Sequence, residues 1–415
     1  MDKLDSQLAT LLSRRRLLAS GAIGGITTAT APLWADALYD LALPGKPSKR
    51  PLTTSYPEKG EMILQRMRPP LLETPFEVFN QGVITPNDRF FVRWHWATLP
   101  EAVDLSTFRL KVRGLVGQEL SLTIDDLLTR FERIEYVAVN QCSGNSRGLF
   151  TPSVAGAEWG NGAMGNARWT GVRLKDVLDL AGIKGGAVDV RFGGLDDALV
   201  PEAPRFLKSL NADHARDGEV MIAFAMNGEQ LPLLNGFPLR LIVPGWFSTY
   251  WVKALSDIEV LAARDDNFWM AKAYQVPKAP FGNVAPGTKD FDKEPISKMV
   301  PRAFVTNLRE GQPVKAGAPL AVSGIALGGD SGVAKVELST DGGKSWQQAK
   351  LGKDEGQYSF RRFDLSIVAP KSGSLTVASR CTNSAGTAQP LEMNWNPSGY
   401  MRAGVERITV TAGAA

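Results

Sequence analysis

Two short segments carry residue types that can do chemistry. Cys142 follows the apolar run Tyr136-Val137-Ala138-Val139 and leads at once into Ser143-Gly144-Asn145-Ser146-Arg147. A thiol leaving a strand into a glycine-containing turn is presented to solvent or to a ligand, and a neighbouring arginine favours its thiolate form. Those residues alone leave three fates open for Cys142: core packing, metal ligation, or service as a nucleophile. The second segment is Asn87-Asp88-Arg89-Phe90-Phe91-Val92-Arg93-Trp94-His95-Trp96. In a strand, Phe91, Arg93 and His95 share one face, so a guanidinium and an imidazole project together beside an aromatic ring. Burying that charge requires an anionic partner, whereas the plainer reading is a salt-bridged edge strand.

Scarcity of ligands narrows the chemistry. The chain holds only His95 and His214, and only Cys142 and Cys381. No Cys-x-x-Cys-His site exists for covalent haem, and a His/Cys zinc site is equally short of ligands. A Ser-His-Asp hydrolase would have to build its triad on one of two histidines, and no Walker-type loop is present. A Cys142–Cys381 disulfide is the alternative that would take the thiolate away.

The elements that must position these residues fall into distinct regions of a 415-residue chain, long enough for two folded units. Hydrophobic residues at 44% and charged residues at 22% describe an ordinary globular protein. A net charge of +4 from 47 basic and 43 acidic residues offers no general argument for nucleic acid, and no membrane span is expected. Ser13-Arg14-Arg15-Arg16-Leu17-Leu18, the small apolar run that follows, and Ala35 and Ala37 have the order of a twin-arginine export signal over residues 1–37. That route carries folded proteins, which suits a complex cofactor inserted before export to the periplasm.

Residues 38–75, rich in Pro, Lys and Gly, read as an extended arm. From 76 to 298, short β-like runs alternate with short helices, including one capped by Thr123 and one carrying Leu174, Val177 and Leu178 at i, i+3 and i+4. Within that span, residues 264–300 read as a linker or a segment covering the site. Residues 299–415 change character. Ala334, Val336 and Leu338 alternate with polar residues before the Asp341-Gly342-Gly343 turn, and the pattern returns at Leu375, Val377, Ser379 and Cys381, then at Ile408 and Val410. The fold class is α+β: a mixed α/β domain followed by an immunoglobulin-like β-sandwich in which Cys381 faces inward.

Phe91-Val92-Arg93-Trp94-His95, Gln141-Cys142-Ser143-Gly144-Asn145-Ser146-Arg147 and Asn235-Gly236-Phe237-Pro238-Leu239-Arg240-Leu241-Ile242-Val243-Pro244-Gly245 together resemble the sulfite oxidase family of molybdopterin enzymes. Ala167-Arg168-Trp169-Thr170-Gly171, Ala225-Met226-Asn227-Gly228, Trp251-Val252-Lys253 and Val336-Glu337-Leu338-Ser339-Thr340-Asp341-Gly342-Gly343 extend the likeness over roughly residues 75–410. The resemblance implies a molybdenum-pyranopterin cofactor with Cys142 as the metal's thiolate, a soft ligand suited to such a redox metal. It places the cofactor-contacting positions at Phe91, Val92, Arg93, Trp94, His95, Asp196, Asn235, Arg240, Trp251, Val252 and Lys253. Arg240 and Lys253 would meet the pterin phosphate. Arg93 and Arg147 would bind the substrate anion, Tyr274 and His95 would support them, and Trp159 would line the pocket.

Asn235 stands where the vertebrate enzymes have histidine, and Ser398 stands at their third anion-binding arginine, so the resemblance is to the bacterial periplasmic sulfite dehydrogenases. What it implies is oxidation of sulfite to sulfate, with electrons passed singly to a c-type cytochrome because this chain has no second redox centre. Homodimer and cytochrome heterodimer both stay open. The rival enzymatic reading is a periplasmic molybdenum reductase of a sulfoxide or related substrate; the non-enzymatic rival is an exported binding module in which Cys142 is merely packed.

Overall fold

A computed structural model describes residues 37–413, so the leader expected over residues 1–37 lies outside the described residues but for Ala37. The segment from 38 to 75, read from composition as an arm, instead forms a meander. Strands β1 (Leu38–Asp40), β2 (Lys49–Thr53), β3 (Met62–Arg66) and β4 (Leu71–Glu73) pair antiparallel in chain order and end on β5 (Val92–Arg93). Its strands are short and β3 slips register between Leu64 and Arg66, which hides the period-two pattern. Met62 and Leu72 are nonetheless fully buried, clustered with Val92, Trp94, Leu234 and Ala254.

The central domain is built from two sheets and a few short helices. The first contains β6 (Leu110–Gly114), β7 (Leu120–Leu122), β10 (Asp189–Gly194), β11 (Leu207–Asn211) and β15 (Leu255–Leu261), in the order β11-β10-β15-β6-β7. Only the β15–β6 pair in it is parallel. The second contains β8 (Arg133–Gln141), β9 (Met164–Arg173), β12 (Met221–Met226) and β13 (Glu229–Gln230), with β14 (Arg240–Ile242) also paired to β12. Helix α1 (Ile124–Arg130) starts in a reciprocal capping box: Thr123 Oγ1 accepts from Asp126 N at 3.0 Å, and Asp126 Oδ2 accepts from Thr123 N at 2.9 Å. Helix α2 (Leu174–Ala181) buries Leu174, Val177, Leu178 and Ala181 and ends at Gly182 in the left-handed conformation. Helix α3 (Ala212–Ala215) follows β11 directly.

Residues 264–300 contribute Lys272, Tyr274, Gln275 and Lys293 to a cleft that Cys142 also lines. Helix α4 (Phe268–Ala271), capped by Asn267, leads to Tyr274 and then to the ribbon of β16 (Gln275–Pro277) and β17 (Lys293–Pro295).

The remaining strands form a two-sheet sandwich. One sheet comprises β18 (Arg302–Val305), β20 (Pro319–Leu327), β23 (Lys350–Leu351) and β24 (Arg361–Val368); the other comprises β19 (Gln312–Lys315), β21 (Val333–Ser339), β22 (Gln347–Gln348), β25 (Ser374–Asn383) and β26 (Glu406–Gly413). Val336, Leu338, Val377, Cys381 and Val410 face its core as the alternation predicts. Ala334 does not: a bulge between Val333 and Lys335 adds a residue to β21, so Val333 is buried and Ala334 exposed. Among the described residues no helix is long and apolar enough to cross a membrane.

Candidate active site

The β8–β9 ladder carries the chain to Gln141, and one more bond, Cys142 N to Ala163 O at 2.9 Å, fixes the start of the turn. The turn closes by Asn145 N donating to Cys142 O at 2.9 Å and Arg147 N to Gly144 O at 3.0 Å. Ser146 sits at φ 67°, a costly backbone for a residue with a side chain, and its N–H donates to Gly160 O at 2.7 Å. Both cysteines are free, which removes the disulfide alternative. Cys381 is packed in the sandwich, where burial pushes its thiol well up; Cys142 opens onto an internal chamber and the cleft outside it.

Strand β5 is only two residues long, yet the alternation expected across it extends beyond its ends. Phe91, Arg93 and His95 line the chamber while Val92 and Trp94 pack behind it. Among the described residues no carboxylate pairs with Arg93, so the salt-bridged edge-strand reading does not hold, and its buried Nη1 has no partner. His95 stacks on Phe206 with ring centroids 3.6 Å apart and lies 2.5 Å from Tyr274 Oη through Nε2. Burial, then the charges of Arg93, Lys253 and Lys208, hold this imidazole well below its usual range, while burial raises the Tyr274 phenol. Both are therefore neutral, and a single hydrogen bond joins the phenol to Nε2.

Deeper in the chamber, Arg240 donates to Asn235 O at 2.9 Å and Asn140 Oδ1 at 3.1 Å, lying over the rings of Trp169 and Trp251. Lys253 lies over Trp94, 4.4 Å from the ring centre; burial first, then Arg240, bring it down to about 7. Six chamber residues, Arg93, His95, Asn140, Ser143, Arg240 and Thr249, each keep a buried polar atom with no partner. Buried polar groups are ordinarily satisfied, and clustered buried cations need an anion. A thiol, a set of unused donors and two nearly carboxylate-free cations fit an anionic, phosphate-bearing group that also presents a thiophilic metal.

Outside the chamber opens a cleft of about 490 Å³ whose charged residues are Arg66, Arg93, Arg147, Lys272 and Lys293, with no Asp or Glu among its lining. Arg147 donates through Nε to Ser398 O at 3.2 Å and through Nη1 to Ala157 O at 3.4 Å. Ser398, where the third arginine was expected to be missing, spends its hydroxyl on Gln275 O at 3.1 Å. Trp159 lines the cleft as expected.

The structure thus gathers Phe91, Arg93, His95, Cys142, Asn235, Arg240, Lys253 and Tyr274 around one chamber, with Arg147 at its mouth. Val92, Trp251 and Val252 are buried with side chains outside the chamber lining, so contact from them to a ligand would be through the main chain. Asp196 is also outside it and acts on Lys253 by charge. Composition and spacing did not signal Lys59, whose Nζ donates to Asn235 Oδ1 at 2.5 Å, nor Asn140, Phe206, Lys208 or Tyr400. Two further spacings match known motifs in residue type alone. Gly160-Asn161-Gly162-Ala163-Met164-Gly165 has the glycine pattern of a dinucleotide loop but runs into β9 rather than a helix, and Gly160 and Gly162 donate their N–H groups to the Glu73 carboxylate. Gly144-Asn145-Ser146-Arg147-Gly148 has the spacing of a nucleophile elbow, but Ser146 is fully buried and bonded to Asn161, while His95 and His214 bond elsewhere.

Residues 96–269 match the oxidoreductase molybdopterin binding domain, and residues 293–412 the Mo-co oxidoreductase dimerisation domain. The chain is 34% identical over 359 residues to mitochondrial sulfite oxidase of Homo sapiens, covering 83% of this chain and 64% of that protein. With sulfite oxidase of Gallus gallus it shares 31% over 402 residues, covering 93% and 83%. A nitrate reductase of Hordeum vulgare is 28% identical over 389 residues, covering 88% of this chain and 42% of that protein. Among solved structures, the sulfane dehydrogenase SoxCD of Paracoccus pantotrophus matches with a TM-score of 0.70 and 25% identity, covering 83% of this chain and 87% of that one. The chain spans 64% of the length of the human relative, just under two thirds.

Proposed function

Because the chain belongs to the sulfite oxidase family of molybdopterin oxidoreductases, we propose that it oxidises sulfite to sulfate at a molybdenum-pyranopterin centre and passes the electrons singly to a c-type cytochrome. The observation that carries this reading is the cleft over Cys142, where Arg93 and Arg147 stand among cations with no carboxylate in the lining. Such a lining favours a small dianion over a neutral substrate.

Cys142 would hold the metal, and Arg240 and Lys253 would hold the phosphate of the pterin, with Asn140 and Thr249 offering unused polar atoms beside them. When bound, the group supplies oxygen-atom transfer and a store for two electrons. The protein's own part is positional. Arg93 and Arg147 orient the anion by charge-assisted hydrogen bonds, worth most in a site that excludes water. Tyr274 keeps its proton and its bond to neutral His95, so the pair adds a dipole without competing for the substrate's negative charge. Export by the twin-arginine route to the periplasm is part of the proposal and rests on Arg14, Arg15 and Arg16. The sandwich domain is the proposed dimer contact.

Reduction of a sulfoxide or another oxidised substrate is the second reading, favoured by the neutral Ser398 in the cleft and by the likeness to nitrate reductases. Sulfite-dependent reduction of cytochrome c by the molybdenum-loaded protein, beside a Cys142→Ala control, separates them. Turnover that disappears with Cys142 supports sulfite oxidation. Metal-loaded protein that ignores sulfite but consumes reduced viologen with a sulfoxide supports the second reading.

A further inference from the structure

Arg147 has an unusual seat. A Cβ on Gly144, Gly156 or Gly399 would come within 2.4, 2.9 and 2.8 Å of its side chain, so three glycines leave the slot it occupies. Two main-chain carbonyls accept from it at 3.2 and 3.4 Å, and among the described residues no carboxylate fixes it. A long side chain held by two extended hydrogen bonds would lose its aim unless something rigid backs it.

Tyr400 supplies that backing. The Arg147 guanidinium carbon lies 4.9 Å from the centre of the Tyr400 ring, and the Tyr400 ring stacks on that of Tyr274 with centroids 5.4 Å apart and planes 8° from parallel. Tyr400 is itself anchored twice to Asn396: its N–H donates to Oδ1 at 3.1 Å, and its carbonyl accepts from Nδ2 at 2.9 Å. It comes from the loop that contributes Ser398, and the neighbouring Met401 N donates to Ser143 O at 3.0 Å beside Cys142.

We propose that Tyr400 is a positioning and specificity-determining residue: its ring holds Arg147 over the cleft and ties it to Tyr274, giving the two-arginine site its selectivity for a small dianion. This rests on the reading of the cleft as a sulfite site. The ring provides a cation–π contact and a flat wall without adding charge, so a third guanidinium is dispensable. The sandwich domain therefore completes the substrate site as well as following it in the chain.

The test compares Tyr400→Leu and Tyr400→Phe holoenzymes, measuring KM and kcat for sulfite and, independently of turnover, binding of inorganic sulfate by calorimetry. Loss of the ring is expected to weaken sulfate binding and raise the sulfite KM by roughly tenfold, with kcat falling less than KM rises. Phenylalanine, which keeps the stack, restores most of the affinity. In an Arg147→Gln background, Tyr400→Leu should cost little more, because the two act as one unit. Equal sulfate affinity in wild type and Tyr400→Leu, or additive losses in the double variant, would overturn the proposal. Wild-type protein that binds sulfate through Tyr400 and Arg147 but does not oxidise sulfite would instead overturn the reading of the reaction alone.

Discussion

Arg302, at the start of the sandwich, donates through Nη2 to Ser146 Oγ at 3.0 Å, one residue before Arg147 of the cleft. The same nitrogen meets Glu406 Oε1 at 2.5 Å, and Arg402 shares that carboxylate. The strained backbone of Ser146 is thus held in part from the other domain, beside the bonds that Gly160 and Asn161 make to it.

Replacing Arg302 by Leu removes one hydrogen bond to Ser146, which keeps those to Gly160 and Asn161, and leaves Glu406 with Arg402 as its remaining arginine partner. The expected loss is about 3 kcal/mol of stability together with a raised sulfite KM. Calorimetric unfolding and steady-state kinetics on one preparation check both. Loss of stability at constant KM would mean that the contact holds the domains together without aiming the site.

Arg93 has a buried, unpartnered Nη1 facing the chamber, and a charge-assisted hydrogen bond is worth roughly 1.5–3 kcal/mol. Arg93→Gln should therefore raise the sulfite KM by roughly ten- to a hundredfold. An unchanged KM would remove Arg93 from the anion clamp.

The His95–Tyr274 pair should not titrate in the working range. Histidine is held below its usual 6.5 and tyrosine above its usual 10, each chiefly by burial, so both stay neutral between those values. Tyr274→Phe removes the hydrogen bond to His95 and should lower kcat/KM by about tenfold. The pH profile of the wild type should show no ionisation near 7 that His95→Asn abolishes; finding one would contradict the neutral assignment.

Lys208 is buried beneath the site with its Nζ 4.4 Å from the Tyr250 ring centre and 3.0 Å from Trp269 O, and burial pulls it from 10.5 to about 7. Between those values the unfolded chain binds the extra proton, so the wild type gains stability as pH rises from 7 towards 10.5. Below 7 the penalty for burying the charge is fully present. Lys208→Met should therefore gain most over the wild type near pH 6 and progressively less towards pH 10, as followed by thermal unfolding across that range. A difference that is constant with pH would show that Lys208 is accommodated without penalty.

Much of this was legible along the chain because it is written locally. Alternation about Val92 sends Phe91, Arg93 and His95 to one side, and it persists where the hydrogen-bonded strand itself is only two residues long. Thr123 announces α1 through its cap, and the period-two runs announce the sandwich. Local reading failed where a single residue reverses a pattern, as at the bulge that exposes Ala334, and where strands are too short to show one, as between residues 38 and 75.

By itself the sequence determined the candidate thiolate, the arginine and imidazole that share a face, and the division into a mixed domain and a sandwich, since each depends on neighbours a few residues apart. Only the tertiary structure decided that Lys59 reaches Asn235, that Lys208 lies beneath Tyr274, and that Tyr400 and Arg302 reach back to Arg147 and Ser146. Those contacts join positions far apart in the chain, where no periodicity links them. Their charges and strained backbones are tolerable only in the low-dielectric, fully packed surroundings that the assembled domains create.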